Sequence, residues 1–392
     1  MSLPPEPSEA SSLVSSSEVD STPLAQDSSS DTVSKKTPLL RRRVHPAVVI
    51  ASFVVLVVFT AGHWLMSPSP YYKMAPGPVI ALPQKITGAQ TPIKKNGISY
   101  VTVQAVNLDW AQYLWAANIE HSANLVSASS LGSSSALKLA NYQMAQAKQS
   151  AAVVAYYLLF GKFYATPAGS TIISIIPGSP AAHAKFYPGD VITAVGGRPL
   201  ATPAALVSST KDSHGHRLTF SVLRSGRVIH ISVTPVLTDG VYRIGASISN
   251  YVAPHLPKNA LTINTSGVSG PSGGLMFTLA LIDSLSPGDL TGGHKIAGTG
   301  TISSTPGSIG VTGPIGDVSY KIEAAISAHD QIFFVDPYDY AAAVAASHNE
   351  ITVIPVANVY SALTWLCHAG ATDKVCHELP QVLARLSTIP TA

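Results

Sequence analysis

The stretch Pro46-AVVIASFVVLVVFTAGHWL-Met66 contains no Asp, Glu, Lys or Arg. About 20 apolar residues are what an α-helix needs to cross the hydrocarbon core of a bilayer. A helix apolar on every side has no water-facing stripe, so it suits lipid better than the surface of a soluble domain. Lys35, Lys36 and Arg41-Arg42-Arg43 lie just before it. Positive charge stays on the cytoplasmic side, which predicts a cytoplasmic N-terminus with everything after Met66 outside. Trp64, Tyr71 and Tyr72 then fall at the outer interface, where aromatic rings gather. A cleaved signal peptide has a shorter apolar core and starts nearer the N-terminus. The expectation is a single-pass, uncleaved anchor in a cell membrane, holding the chain to the lipid bilayer by one helix.

Only 11% of the 392 residues are charged, well below the ~25% of typical soluble domains. The length suits two or three domains, and 46% apolar residues supply their cores. A net charge of +3 is too small and too scattered for a nucleic-acid surface. Cys367 and Cys376, beside His368 and His377, are too few ligands for a patterned zinc site. An extracytoplasmic location favours a disulfide between the two cysteines. No metal and no cofactor is expected.

Residues 1–45, rich in Ser, Thr, Pro and acids toward their start, read as a disordered tail. The helix spans 46–66, and the Pro- and Gly-rich 67–95 reads as an extended linker. Over 96–164 a strand, Ile98-SYVTVQAV, precedes an Ala-rich helical region to which no chemistry attaches. A β-rich segment covers 165–237, an α/β domain covers 238–368, and 369–392 read as a mobile tail. The fold class is α+β, multidomain.

In 165–237, Ser170-TIISII-Pro177 is a strand ended by Pro177-GSPA, and Pro188-GD-VITAVGGRPL follows. Ala201-TPAALVSSTK has helical character. Leu218-TFSVLR and Val228-IHISVTPV flank the hairpin turn Ser225-Gly226. The order and the paired Pro-Gly turns resemble a bacterial PDZ domain. The resemblance implies a peptide-binding groove in which an extended ligand adds as a strand beside Ile172, Ile173, Ser174 and Ile175, facing the 201–210 helix. The plainer alternative is a β-domain that serves as a spacer.

In 238–368, Gly270-Pro271-Ser272-Gly273-Gly274 precedes an apolar helical run, Leu275-MFTLALI. A serine there stands where several helix N-terminal N–H groups are free, a ready anion site. Its hydroxyl needs a base. Lys321 follows at the start of a second helix, after Pro314-Ile315-Gly316. Burial and the positive end of the helix dipole both disfavour an ammonium there.

These motifs resemble those of Lon-type peptidases. Residues 270–274 are similar to G-P-S-A-G, 313–321 to P-I-G-G-x-x-x-K, and Thr299-Gly300-Thr301-Ile302 to T-G-E-I. With the anchor and the PDZ-like segment, the layout over 67–366 resembles the membrane-anchored YlbL-like group. The resemblance implies a Lon-type α/β proteolytic domain with Ser272 as nucleophile and Lys321 as general base. Thr299, Gly270 and Gly273 support the site. It also implies polypeptide substrates and a homo-oligomer. Four positions depart from the family pattern: Ser269, Gly273, Thr301 and Asp317.

A trypsin-like enzyme is excluded by order, since its His and Asp precede the serine and its PDZ domain follows. No G-x-x-x-x-G-K-[ST] loop is present, so no ATP site is expected. The function expected is an ATP-independent serine endopeptidase whose PDZ domain recruits substrate. The competitor is an inactive PDZ scaffold that binds envelope proteins.

Overall fold

The computed structural model describes residues 45–88, 97–122, 124–131 and 134–387. The expected disordered tail, its basic cluster and the end of the expected linker lie outside the described residues. The contact pattern divides the chain into two compact units, 1–59 and 60–392. Helix α1, Pro46–Leu65, is long and apolar enough to cross a membrane, and none of its residues is buried.

In the second unit, strand β1, Pro68–Ala81, occupies much of the expected linker. It pairs antiparallel with β2, Ser99–Asp109, from Tyr72 opposite Asn107 to Ala81 opposite Ser99. Prolines are tolerated on such a strand where pairing is irregular. The register shifts between Pro68 and Tyr72 and again between Pro76 and Val79. Helix α2, Trp110–Asn118, starts at once, its first turn closed by reciprocal bonds between Asp109 and Gln112.

Helix α3, Ser134–Phe160, is the Ala-rich region. Its small residues allow close approach to a neighbouring helix. Ala151, Val154, Ala155 and Leu158 share one core with residues from Leu261 to Val382. The segment 96–164 is therefore part of the same core as the C-terminal half, not a separate region.

Between these halves lies a β-domain. Strand β3, Ala165–Ile175, pairs antiparallel with β4, Val191–Val195. Helix α4, Pro203–Asp212, is capped by Thr202. Strands β5, Leu218–Arg224, and β6, Arg227–Val233, form the expected hairpin. The sheet does not end at 237. Strand β7, Ala246–Pro254, returns to pair antiparallel with β3 along its whole length. The order across the sheet is β7-β3-β4-β5-β6. A separate core, including Ile172, Phe186, Ile192, Leu206 and Phe220, fills it.

Helix α5, Gly274–Leu285, is buried along most of its length. Strand β8, Ile296–Gly298, helix α6, Val318–Ser327, strand β9, Ile332–Val335, helix α7, Tyr340–Ser347, and strand β10, Thr352–Pro355, follow. The three strands form a parallel sheet in the order β8-β9-β10. Successive side chains on a strand point to opposite faces. Phe333 accordingly packs with α6 and α7, and Phe334 with the core of α3 and α5.

Helix α8, Val359–His368, covers that second face. Residues 374–387 are not the expected mobile tail. Helices α9, Lys374–His377, and α10, Leu379–Ser387, close the domain. Cys367 and Cys376 form a disulfide with Cα atoms 5.3 Å apart, tying α8 to α9. Val382 is buried, and Arg385 donates to the carbonyl of Leu159 at 2.9 Å. The fold is mixed α/β throughout.

Candidate active site

Ser272 lies in the turn that opens α5. Gly270 takes φ +96°, a region that favours glycine, and its N–H donates to Ala140 of α3 at 2.9 Å. The carbonyl of Ser272 accepts from the N–H of Gly300 at 2.7 Å and from Thr299 Oγ1 at 3.1 Å. The backbone of Ser272 is thus held by the β8 end, while its half-buried hydroxyl has no hydrogen bond to a described group. No described group accepts from the N–H of Ser272 or of Gly273. An alanine at 273 would force the Phe277 ring to shift, because a Cβ there would meet that ring at 2.5 Å.

Lys321 is the fourth residue of α6 and only 5% exposed. Its Nζ donates to Thr299 Oγ1 at 3.4 Å. Thr299, fully buried, therefore touches both the backbone of Ser272 and the amine of Lys321. Burial brings the Lys321 ammonium down from 10.5 to about 8, against the opposing pull of Asp317 and Asp339. A charged group taken out of water loses solvation, so the neutral amine gains.

Ser272 and Lys321 line one cleft of about 550 Å³, together with Thr102, Met144, Val268 and Asp317. No hydrogen bond joins Ser272 Oγ to Lys321 Nζ. Such contacts are often loose before substrate binds. Of the expected site residues, Ser272, Lys321, Thr299, Gly270 and Gly273 meet around this turn.

Two acidic residues bear on the Lys321 amine: Asp317, already marked within the 313–321 motif, lines the cleft, and Asp339 acts from outside that lining. Asp317, where the resembled motif has glycine, takes φ +58°; aspartate tolerates that region better than most residues. Asp339 Oδ2 accepts from the N–H of Ile315 at 2.9 Å and fixes the loop leading to α6. The positive φ at 317 could have been inferred from the glycine it replaces. Nothing in the local sequence marks Asp339.

The expected peptide edge is displaced. Ile172, Ile173, Ser174 and Ile175 lie on β3, which is an internal strand. Across it, Ala246 stands opposite Ile175, Ser247 opposite Ser174 and Ile248 opposite Ile172. Strand β7 already takes this edge of β3. The outermost strand is β7, and a groove of about 340 Å³ runs between it and α4, lined by Ile176, Leu206, Val207, Ile244 and Ile248.

Among the described residues, no group of three or more His, Cys, Asp or Glu side chains converges as a metal site. A family profile described as PDZ domain matches residues 171–224. Two curated relatives, each bearing the name of a candidate zinc metalloprotease, come from Brucella suis biovar 1 and Brucella melitensis biotype 1. Each is 30% identical over 93 residues, covering 24% of this chain and 24% of the relative. The chain thus spans about a quarter of the length of the curated relatives it matches.

Among solved structures, the PDZ domain of an SdrC-like protein of Listeria monocytogenes is 17% identical. It covers 21% of this chain and 90% of that one at a TM-score of 0.20. Its Listeria innocua counterpart is 18% identical, covering 20% and 92%, also at 0.20. At such scores the structural likenesses carry no argument. By the family profile, the β-domain between α3 and α5 is a PDZ domain.

Proposed function

We propose that this chain is a membrane-anchored, Lon-type serine endopeptidase. The observation that carries the reading is the buried Lys321. Its amine reaches the Thr299 hydroxyl that also holds the Ser272 carbonyl, in a cleft lined by Ser272 itself. The neutral Lys321 amine accepts the proton of Ser272 Oγ as that oxygen bonds to the substrate carbonyl carbon. The resulting oxyanion is stabilised by the unused N–H groups of Ser272 and Gly273. Lys321 returns the proton to the leaving amine as the peptide C–N bond breaks. Water, deprotonated by Lys321, then hydrolyses the acyl-serine ester.

The PDZ domain gives a substrate-recruiting role beside this site. The sequence lacks a P-loop, which favours substrates already unfolded or cleaved. The apolar α1 and the basic residues before it support an extracytoplasmic protease domain.

The test is cleavage of an unfolded fluorogenic casein by the purified full chain in detergent. Wild type should cleave, while Ser272→Ala and Lys321→Ala should be inactive yet fold. The double variant should be no worse than either single one, because the pair acts as a unit. A folded but inactive wild type would favour the PDZ scaffold instead. The relatives' names suggest a zinc peptidase, although their match is of PDZ size and the described residues offer no zinc donor set. Activity abolished by a zinc chelator and indifferent to Ser272→Ala would establish that alternative.

A further inference from the structure

The outer strand of the PDZ sheet, β7, is flanked by clefts on both of its faces. Ile248 stands opposite Ile172, and Ser249 opposite Thr171. Directly paired residues share a face of a sheet, and neighbours along a strand alternate. Ile172 belongs to the PDZ core beneath α4, and Ile248 lines the groove against α4. Thr171 and Ser249 point the other way, into a second cleft of about 440 Å³ between the sheet and α3.

The two clefts differ in chemistry. The α4 side is apolar, with Leu206, Val207 and Ile248. The α3 side is mixed, with Gln143, Gln146, Ser150, Ser249 and Ser304 beside Ala147 and Ile302. It is kept open at a set spacing, since Tyr142 of α3 shares a hydrogen bond with Thr171 of β3 at 3.2 Å. Its far wall includes Pro271, the residue before Ser272, which also lines the cleft of Ser272 and Lys321. No described strand pairs with the outer edge of β7, and Ser247, Ser249 and Asn250 are exposed there.

We propose that the α3-side cleft is a second recognition site, which reads the polar side chains of a polypeptide added as a strand to β7. This rests on the substrate-recruiting role given above. A strand on that edge directs alternate side chains to opposite faces. Residues beside Ile248 enter the apolar groove, and their neighbours, beside Ser249, enter the polar cleft. The ligand class is an extended segment that alternates apolar and polar residues. That is the pattern of a half-buried strand from an unfolded β-sheet protein. Because Pro271 lines both this cleft and that of Ser272, the captured segment is held close to Ser272.

The test uses the full chain carrying Ser272→Ala in detergent, so that binding is measured apart from cleavage. The probe is a fluorescein-labelled peptide of about ten residues, enough to span β7 at ~3.3 Å per residue, alternating Val and Gln. A control peptide has every Gln replaced by Leu. The alternating peptide should bind about tenfold tighter by anisotropy, the worth of one or two well-made hydrogen bonds. Gln146→Leu with Ser249→Leu should reverse that order. Val207→Lys, on the other face, should weaken both peptides. N-methylation of alternate peptide nitrogens should abolish binding to all forms.

An unchanged order in the Gln146→Leu/Ser249→Leu protein would overturn the second cleft, leaving recruitment to the α4 groove alone. Binding indifferent to N-methylation would overturn strand addition itself. Should the double variant fail to fold, Ser249→Leu alone, at an exposed position, repeats the comparison. Loss of casein cleavage with the peptide order intact would count against the catalytic reading and not against this one.

Discussion

Lys321 is a positively charged residue by default, placed where charge is least welcome. The unfolded chain's lysine titrates near 10.5 and the folded one near 8. Between these values the unfolded state binds more protons, so stability rises with pH across that window. Below about 8 the penalty is present in full, on the order of 3 kcal/mol. Lys321→Met should therefore abolish cleavage while raising the unfolding temperature at pH 7, as calorimetry would record. Activity of the wild type should climb with pH through about 8, as the amine becomes neutral. Asp317 works against this by favouring the ammonium. Asp317→Asn should shift the pH–rate profile to lower pH; a shift upward would contradict the assigned base. Lys321→Arg should be inactive, because a guanidinium stays protonated.

At the scale of elements, what was legible in the sequence was local. The turn at 270–274, the two helix starts and the Pro-Gly turns of the β-domain are set by residues close in the chain. Pairing between distant segments was not legible. Strand β7 has an ordinary apolar–polar alternation, but nothing in Ala246–Pro254 says that its partner is β3 rather than a later strand. The peptide edge was accordingly assigned one strand too far inside the sheet. Prolines in 68–81 suggested a linker, although a strand with register shifts accommodates them. The meeting of Thr299 with both Ser272 and Lys321 is only implied by motif, since three segments distant in the chain must converge to make it.

The short helices α9 and α10 depend on such convergence too. The disulfide between Cys367 and Cys376 closes a loop with a sequence separation of 9. Replacing both cysteines with serine should cost about 2–3 kcal/mol by loop-closure entropy, measured as a lower denaturant midpoint with unchanged slope. A change of less than about 0.5 kcal/mol, the scale of ordinary surface substitutions, would mean that packing of Val382 and Arg385 already fixes these helices.

For the whole molecule, orientation is the first matter. A reporter active only in the cytoplasm should work when fused after Arg43 and be silent when fused after residue 131, where the described chain has passed β1 and β2. The opposite result would reverse the assigned sidedness. The division of labour between domains gives a second outcome. Val207→Lys should slow cleavage of casein several-fold while sparing a short peptide that occupies only the Ser272 cleft, because recruitment and chemistry lie in different places. Equal losses on both substrates would make the PDZ domain a structural part of the catalytic core.

The position of α3 has a kinetic consequence. Its partners in the core, from Leu261 to Val382, emerge a hundred residues or more later, while the intervening PDZ sheet is complete once Pro254 has appeared. Chain synthesis runs at about 5–20 residues per second, so Ala151, Val154 and Leu158 wait several seconds with only Leu82, Ile86, Ile98 and Tyr100 of that core already made. A nascent chain of this topology offers an adhesive helix to its surroundings throughout that interval. The inserted domain, able to collapse around its own hydrophobic centre, becomes the first solid landmark on the folding route. Closure of the outer domain across it is then the slow, late event expected of contacts so far apart along the chain.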